Sequence, residues 1–71
     1  MKLKLTHHAV IRFKERILFD ADYDFIYRFV SSELSVATHL YSCNGKDYFH
    51  SSGITFVLAK GCLVTLYLAC L

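Results

Sequence analysis

Asn44-Gly45 constrains this chain more than any other pair of its residues. Both central positions of a type I′ turn take positive φ, which Asn and Gly tolerate, so the pair is the strongest two-residue signal for a hairpin. It follows VATHLYSC and precedes a second strand-like run. The turn sets the expected register: Cys43 opposite Lys46, Tyr41 opposite Tyr48, and His39 opposite His50, which makes the two histidines neighbours on one sheet face. Ser51-Ser52-Gly53 makes the next turn, ITFVLA is a third strand, and Lys60-Gly61 turns the chain into CLVTLYLACL, the fourth. Across that last turn Val57 is expected opposite Val64 and Phe56 opposite Thr65. Strands are predicted near residues 36–43, 46–51, 54–60 and 62–69.

Ahead of residue 36 the hydrophobic period is helical. Thr6 is suited to cap a helix, because its hydroxyl accepts from a first-turn backbone N–H. Val10, Phe13 and Ile17 then form an apolar stripe at i, i+3 and i+7, over a helix expected near 7–18. Asp20 or Asp22 caps a second helix near 22–34, in which Phe25, Ile26, Phe29, Val30 and Leu34 recur at helical spacing with Tyr23 and Tyr27 at the margins. The opening MKLKL reads either as a short edge strand or as the lead into the first helix. The expected fold is α+β, with two N-terminal helices packed on a four-stranded antiparallel β-meander, one sheet face covered and the other open.

Seventy-one residues make one domain, 1–71. Folding at this size buries only about 60% of the unfolded chain's surface. Since 55% of the residues are hydrophobic, part of the apolar surface is expected to serve as an interface, in a homodimer formed through the last strand or the open sheet face. Net charge is only +2, but five of the eight basic residues (Lys2, Lys4, Arg12, Lys14, Arg16) fall in the first sixteen positions. That placement suits a phosphate-facing patch or a solvated helix face. Three cysteines, with no C-x-x-C and no signal-peptide pattern, point to reduced thiols in a cytoplasm. Cys43, His39 and His50 lack the close ligand spacing of a zinc site, so neither a metal nor another cofactor is expected. Lys60-Gly61 interrupts the apolar C-terminal run, which therefore suits a hairpin better than a membrane span.

On the first helix His8, Arg12 and Arg16 recur every four residues, with Phe19 just beyond, and lie along one side. Such a stripe calls for an anion, either a phosphate or a carboxylate from Asp20, Asp22, Asp24 or Glu33 that fixes one helix to the other. His7 sits about 100° round the helix from His8 and does not share the stripe. On the sheet, Tyr48, His50 and Tyr67 are placed to line one groove, where tyrosine rings stack on bases.

His8-Ala9 opening a helix, then Arg12 and Glu15-Arg16, resembles the small bacterial and phage domains related to RelE-like toxins, as does the closing strand Val64-Thr65-Leu66-Tyr67. The layout also resembles the wider group joining barnase, EndoU, the colicin RNases and RelE. Where the family carries a glycine after the Glu-Arg, this chain continues with Ile17-Leu18-Phe19. The resemblance implies an RNA-cleaving toxin, or a relative that has lost cleavage, with a cognate antitoxin as a partner. Metal-independent RNA cleavage needs proton transfer to and from ribose oxygens, which histidine suits, and stabilisation of phosphorane charge, which arginine suits. The expected assignment is His8 and His50 as proton-transfer groups, and Arg12, Arg16, Tyr48 and Tyr67 as RNA contacts. The alternative is a non-enzymatic, phage-encoded inhibitor that binds a host defence complex. A dimeric antitoxin-like regulator is a third class, but no DNA-reading motif supports it.

Overall fold

Two side-chain caps start the two helices. Thr6 Oγ1 accepts from Ala9 N at 3.1 Å and Asp22 Oδ1 accepts from Phe25 N at 2.8 Å. Each satisfies a backbone donor that the first turn leaves without a partner. The structure, a computed structural model, describes residues 3–68. Its elements are β1 (Lys4–Leu5), α1 (His7–Arg16), α2 (Tyr23–Val36), β2 (Thr38–Cys43), β3 (Lys46–Ser51), β4 (Ile54–Ala59) and β5 (Cys62–Leu68). Met1 and Lys2, Ala69 at the end of the expected last strand, and Cys70 and Leu71 lie outside the described residues.

The sheet corrects the expected four-stranded antiparallel meander. It has five strands in the order β1-β5-β4-β3-β2, and β1 runs parallel to β5, with Lys4 opposite Cys62 and Leu5 opposite Leu63. Lys4 N donates to Gly61 O at 3.1 Å and Thr6 N to Leu63 O at 3.2 Å. The apolar side chains Leu3 and Leu5 pack against the core at the same place. Burial of those two leucines supplies the reason for the extra strand. The fold remains α+β.

Two bulges shift the register within the meander. Between His39 and Tyr41 the pairing slips, so Thr38 lies opposite His50 and His39 opposite Phe49, leaving Leu40 as the extra residue. His39 is therefore not the cross-strand partner of His50, and one inserted residue sends the two side chains to opposite faces. A second slip between Val57 and Leu58 leaves Val64 as the extra residue in β5, so Val57 faces Thr65 and Phe56 faces Leu66. The pairs nearest the Asn44-Gly45 turn hold as expected, with Cys43 opposite Lys46 and Tyr41 opposite Tyr48.

The core lies between the helices and one face of the sheet. Ala9 and Phe13 of α1 and Ile26 and Val30 of α2 pack with Ile54, Phe56, Leu58, Leu63 and Leu66, and Phe49 joins them. Phe29 sets its ring edge-on to Phe13 at 5.4 Å between centroids. Since side chains alternate along a strand, the residues between these in β3, β4 and β5 point to the face that the helices leave open.

Candidate functional site

Register places two rows of residues at the middle of the open face. Tyr41, Tyr48, Val57 and Thr65 form one row across β2 to β5, and Thr38, His50, Thr55 and Tyr67 form the next. Tyr41 and Tyr48 stack, with centroids 4.5 Å apart and ring planes at 16°. Thr55 and Val57 are buried although no helix covers them, so the longer tyrosine and histidine side chains around them close over the middle of the face. His50 is half-buried, and its Nε2 is shut off from solvent with no hydrogen-bond partner among the described residues. An unpaired ring nitrogen in a desolvated position costs free energy that a bound hydrogen-bonding group would recover. The Tyr41 phenol titrates above its ordinary 10.0, first through desolvation and then through the nearby Tyr67, Tyr48 and Cys43, whose negative forms would repel the phenolate.

Sequence reasoning thus placed Tyr48, His50 and Tyr67 on a common surface, and the register assembles them. Thr55 and Thr65 were missed as members of that surface. The strand alternation that identifies them also marks them as ordinary β-formers, so their residue type carries no signal.

The helical stripe is laid out differently. Arg12 Nε approaches His8 Nε2 at 3.4 Å, and Arg12 Nη1 pairs with Glu15 Oε1 at 2.6 Å. Arg16 Nη1 donates to the backbone carbonyl of Leu66 at 2.6 Å. None of the acids expected to tie α1 to α2 is used that way. Asp22 caps α2, Asp24 pairs with Arg28 at 3.1 Å, and Glu33 accepts from Ser51 Oγ at 2.9 Å. Arg16 instead closes the outer edge of β5, where Thr6 Oγ1 lies 2.9 Å from Leu63 O and 3.1 Å from Val64 O. The stripe therefore flanks the sheet beside Tyr67, and no hydrogen bond or ion pair joins His8 to His50 among the described residues. His7 is exposed.

His39 sits on the opposite face of the sheet from His50. Its ring lies 5.0 Å from that of Phe49, and its Nε2 is 3.2 Å from Ser42 Oγ and 3.5 Å from Asp47 Oδ1, while Ser42 donates to Asp47. This cluster was invisible in the sequence because it depends on the bulge at Leu40. With its hydroxyl proton directed to a carboxylate and no donors gathered for an oxyanion, it lacks the geometry of a nucleophilic triad.

Elsewhere a hollow of about 220 Å³ is lined by Leu3, Ser31, Leu34, Ser35, Leu58 and Gly61, none of them an expected site residue. Among the described residues no three His, Cys, Asp or Glu side chains are grouped to hold a metal ion, and no helix is long and apolar enough to cross a membrane. Cys43 and Cys62 are free thiols. In comparisons with known proteins, no family model, no curated protein and no solved structure gives a significant match to this chain.

Proposed function

We propose that this chain is a RelE-like, toxin-type domain of bacterial or phage origin that holds single-stranded RNA on its open sheet face without a metal. The observation that carries the proposal is the tyrosine surface of Tyr41, Tyr48 and Tyr67 around His50, whose Nε2 is buried and unpaired. Aromatic rings on a sheet stack on bases, each worth about 1–3 kcal/mol, and an unpaired ring nitrogen at their centre suits a polar group on the nucleotide. Arg16, held at the β5 edge next to Tyr67 by its bond to the Leu66 carbonyl, and Arg12, one turn earlier on α1, face the phosphates. His50 is the proposed proton-transfer group and His8, on the flanking helix, its counterpart. The free thiols of Cys43 and Cys62 suit a reducing cytoplasm, and a cognate antitoxin is the protein partner that such a toxin requires.

Fluorescence anisotropy with a labelled single-stranded RNA at low salt tests this. Tyr48→Ala and Tyr67→Ala are expected to weaken binding roughly ten-fold each. Arg12→Ala is expected to reduce the salt slope by about 0.7, the contribution of one single-strand phosphate contact. His50→Ala should weaken binding by up to roughly ten-fold, through loss of the hydrogen bond at Nε2, and lower any cleavage rate by about 10²–10⁴ beyond that. A wild type that binds no RNA ends the proposal. The exposed Phe19, Tyr23 and Phe25 on the helical layer favour the second reading, a non-enzymatic phage inhibitor of a host defence complex, which would then take its place.

A further inference from the structure

The turn end of the open sheet face carries lysines that the tyrosine rows do not use. In β3 the alternation that sets Tyr48 and His50 on the open face also sets Lys46 there, opposite Cys43. In β1 Leu5 packs against the core beside its partner Leu63, so Lys4 and its partner Cys62 take the open side. Lys60 lies between them, in the turn that joins β4 to β5. All three lysines are exposed, and none makes an ion pair among the described residues. The acids are elsewhere. Glu15 is on α1, Asp20 is in the link between the helices, and Asp22, Asp24 and Glu33 cap or belong to α2. Asp47, the one acid in a strand, points to the helix side, where it accepts from Ser42. Among the described residues the open face therefore has cations along one end and no carboxylate.

We propose that Lys4, Lys46 and Lys60 form a rim that binds the phosphates of the single-stranded RNA whose bases lie on the tyrosines. This inference rests on the reading of the open face as an RNA site. Lys46 precedes Tyr48 by two residues, about 7 Å along the strand, so a base stacked on Tyr48 has its own phosphate within reach of the lysine side chain. From β3 to β1 the rim crosses three strand spacings, about 14 Å, a length that takes more than one phosphate and lays the backbone along the turn end. Lysine suits this task, because its ammonium is a point charge on a flexible stem and needs no fixed fork geometry. The other free lysine of the helical layer, Lys14, lies about 160° round α1 from Arg12 and Arg16 and belongs to neither edge of the face.

Fluorescence anisotropy with a labelled RNA of about eight nucleotides, read as the slope of log affinity against log salt, tests the rim. Lys4→Ala, Lys46→Ala and Lys60→Ala should each lower the slope by about 0.7, and the triple variant by about 2. Lys46→Arg keeps the charge and should keep the wild-type slope. Lys14→Ala removes the same charge from outside the rim and should change the slope by less than about 0.3. Far-UV circular dichroism checks that each variant is folded, and one that is not leaves the other two positions to read the rim. A wild type that binds RNA and loses affinity in Tyr48→Ala, but keeps its slope in the triple variant, overturns the rim and leaves the RNA reading standing. A slope lowered equally by Lys14→Ala also overturns it, because net charge alone would then account for the effect. A wild type that binds no RNA ends both.

Discussion

Asn44, Ser52 and Lys60 take φ of 55°, 52° and 52°, and the glycines after them, Gly45, Gly53 and Gly61, take 78°, 77° and 78°. Three hairpin turns therefore use the same pair of left-handed residues, but their first positions are not equally suited to it. Asn tolerates positive φ because its short polar side chain bonds locally, whereas Lys gains nothing there and carries the steric cost of its Cβ. Lys60→Gly is expected to raise stability by about 0.5–1 kcal/mol, because glycine is permitted this backbone without strain. Gly45→Ala should lower it by about 1 kcal/mol. A Cβ built at Gly45 meets nothing within 4 Å, so that loss is backbone strain and not collision. Urea unfolding of the two variants measures both signs. A stability loss in Lys60→Gly would show that the turn depends on the lysine side chain.

At the scale of elements, α1 is fastened to β5 by polar contacts as well as by Ala9 and Phe13. Arg16 donates to Leu66 O and Thr6 bridges to the carbonyls of Leu63 and Val64. These bonds occupy acceptors on a strand edge that β1 covers only at Cys62 and Leu63. The two arginines of the stripe should therefore separate in a thermal melt. Arg16→Ala loses a charged donor to a backbone acceptor and should cost about 1–2 kcal/mol, or roughly 5–15 °C in a domain of this size. Arg12→Ala loses only exposed contacts with Glu15 and His8 on its own helix and should stay within about 0.5 kcal/mol. Equal losses would mean that Arg16 gains nothing from its strand contact. Both helices were legible in the sequence because caps and apolar period are local signals, read from Thr6, Asp22, Phe13 and Val30. The three hairpins that join β2 to β5 were legible from their turns, though not the five-stranded mixed sheet they belong to, and strand alternation puts Tyr48, His50 and Tyr67 on one face of it. Strand β1 was legible only as one of two readings of MKLKL, and its parallel pairing with β5 was not legible at all, since Leu5 meets Leu63 across almost the whole chain and a two-residue strand has no period of its own. Nor were the bulges at Leu40 and Val64, whose flanking residues are ordinary strand formers. The separation of His39 from His50 follows directly from the first of them.

Across the whole molecule, the two faces of one sheet divide stability from the proposed binding. A chain of this length has a total stability of about 4–11 kcal/mol, and its fully buried large side chains are few: Phe13, Phe56, Ile26, Leu63, Leu66 and Val30. Phe13 is central to them, because its ring meets Phe25 and Phe29 edge-on and joins α1 to α2 over the sheet. Phe13→Ala removes a fully buried ring and should cost about 3–5 kcal/mol, a large share of the whole. On the open face, Tyr48→Ala removes a side chain whose stacking partner, Tyr41, is itself 52% exposed. Its cost should be nearer 1 kcal/mol. Chemical denaturation of the two variants is expected to show Phe13→Ala largely unfolded or with its midpoint close to zero denaturant, and Tyr48→Ala cooperative with a modestly lowered midpoint. If Tyr48→Ala proved as damaging as Phe13→Ala, the tyrosine face would be a second core. Its aromatic surface would then be accounted for by folding alone.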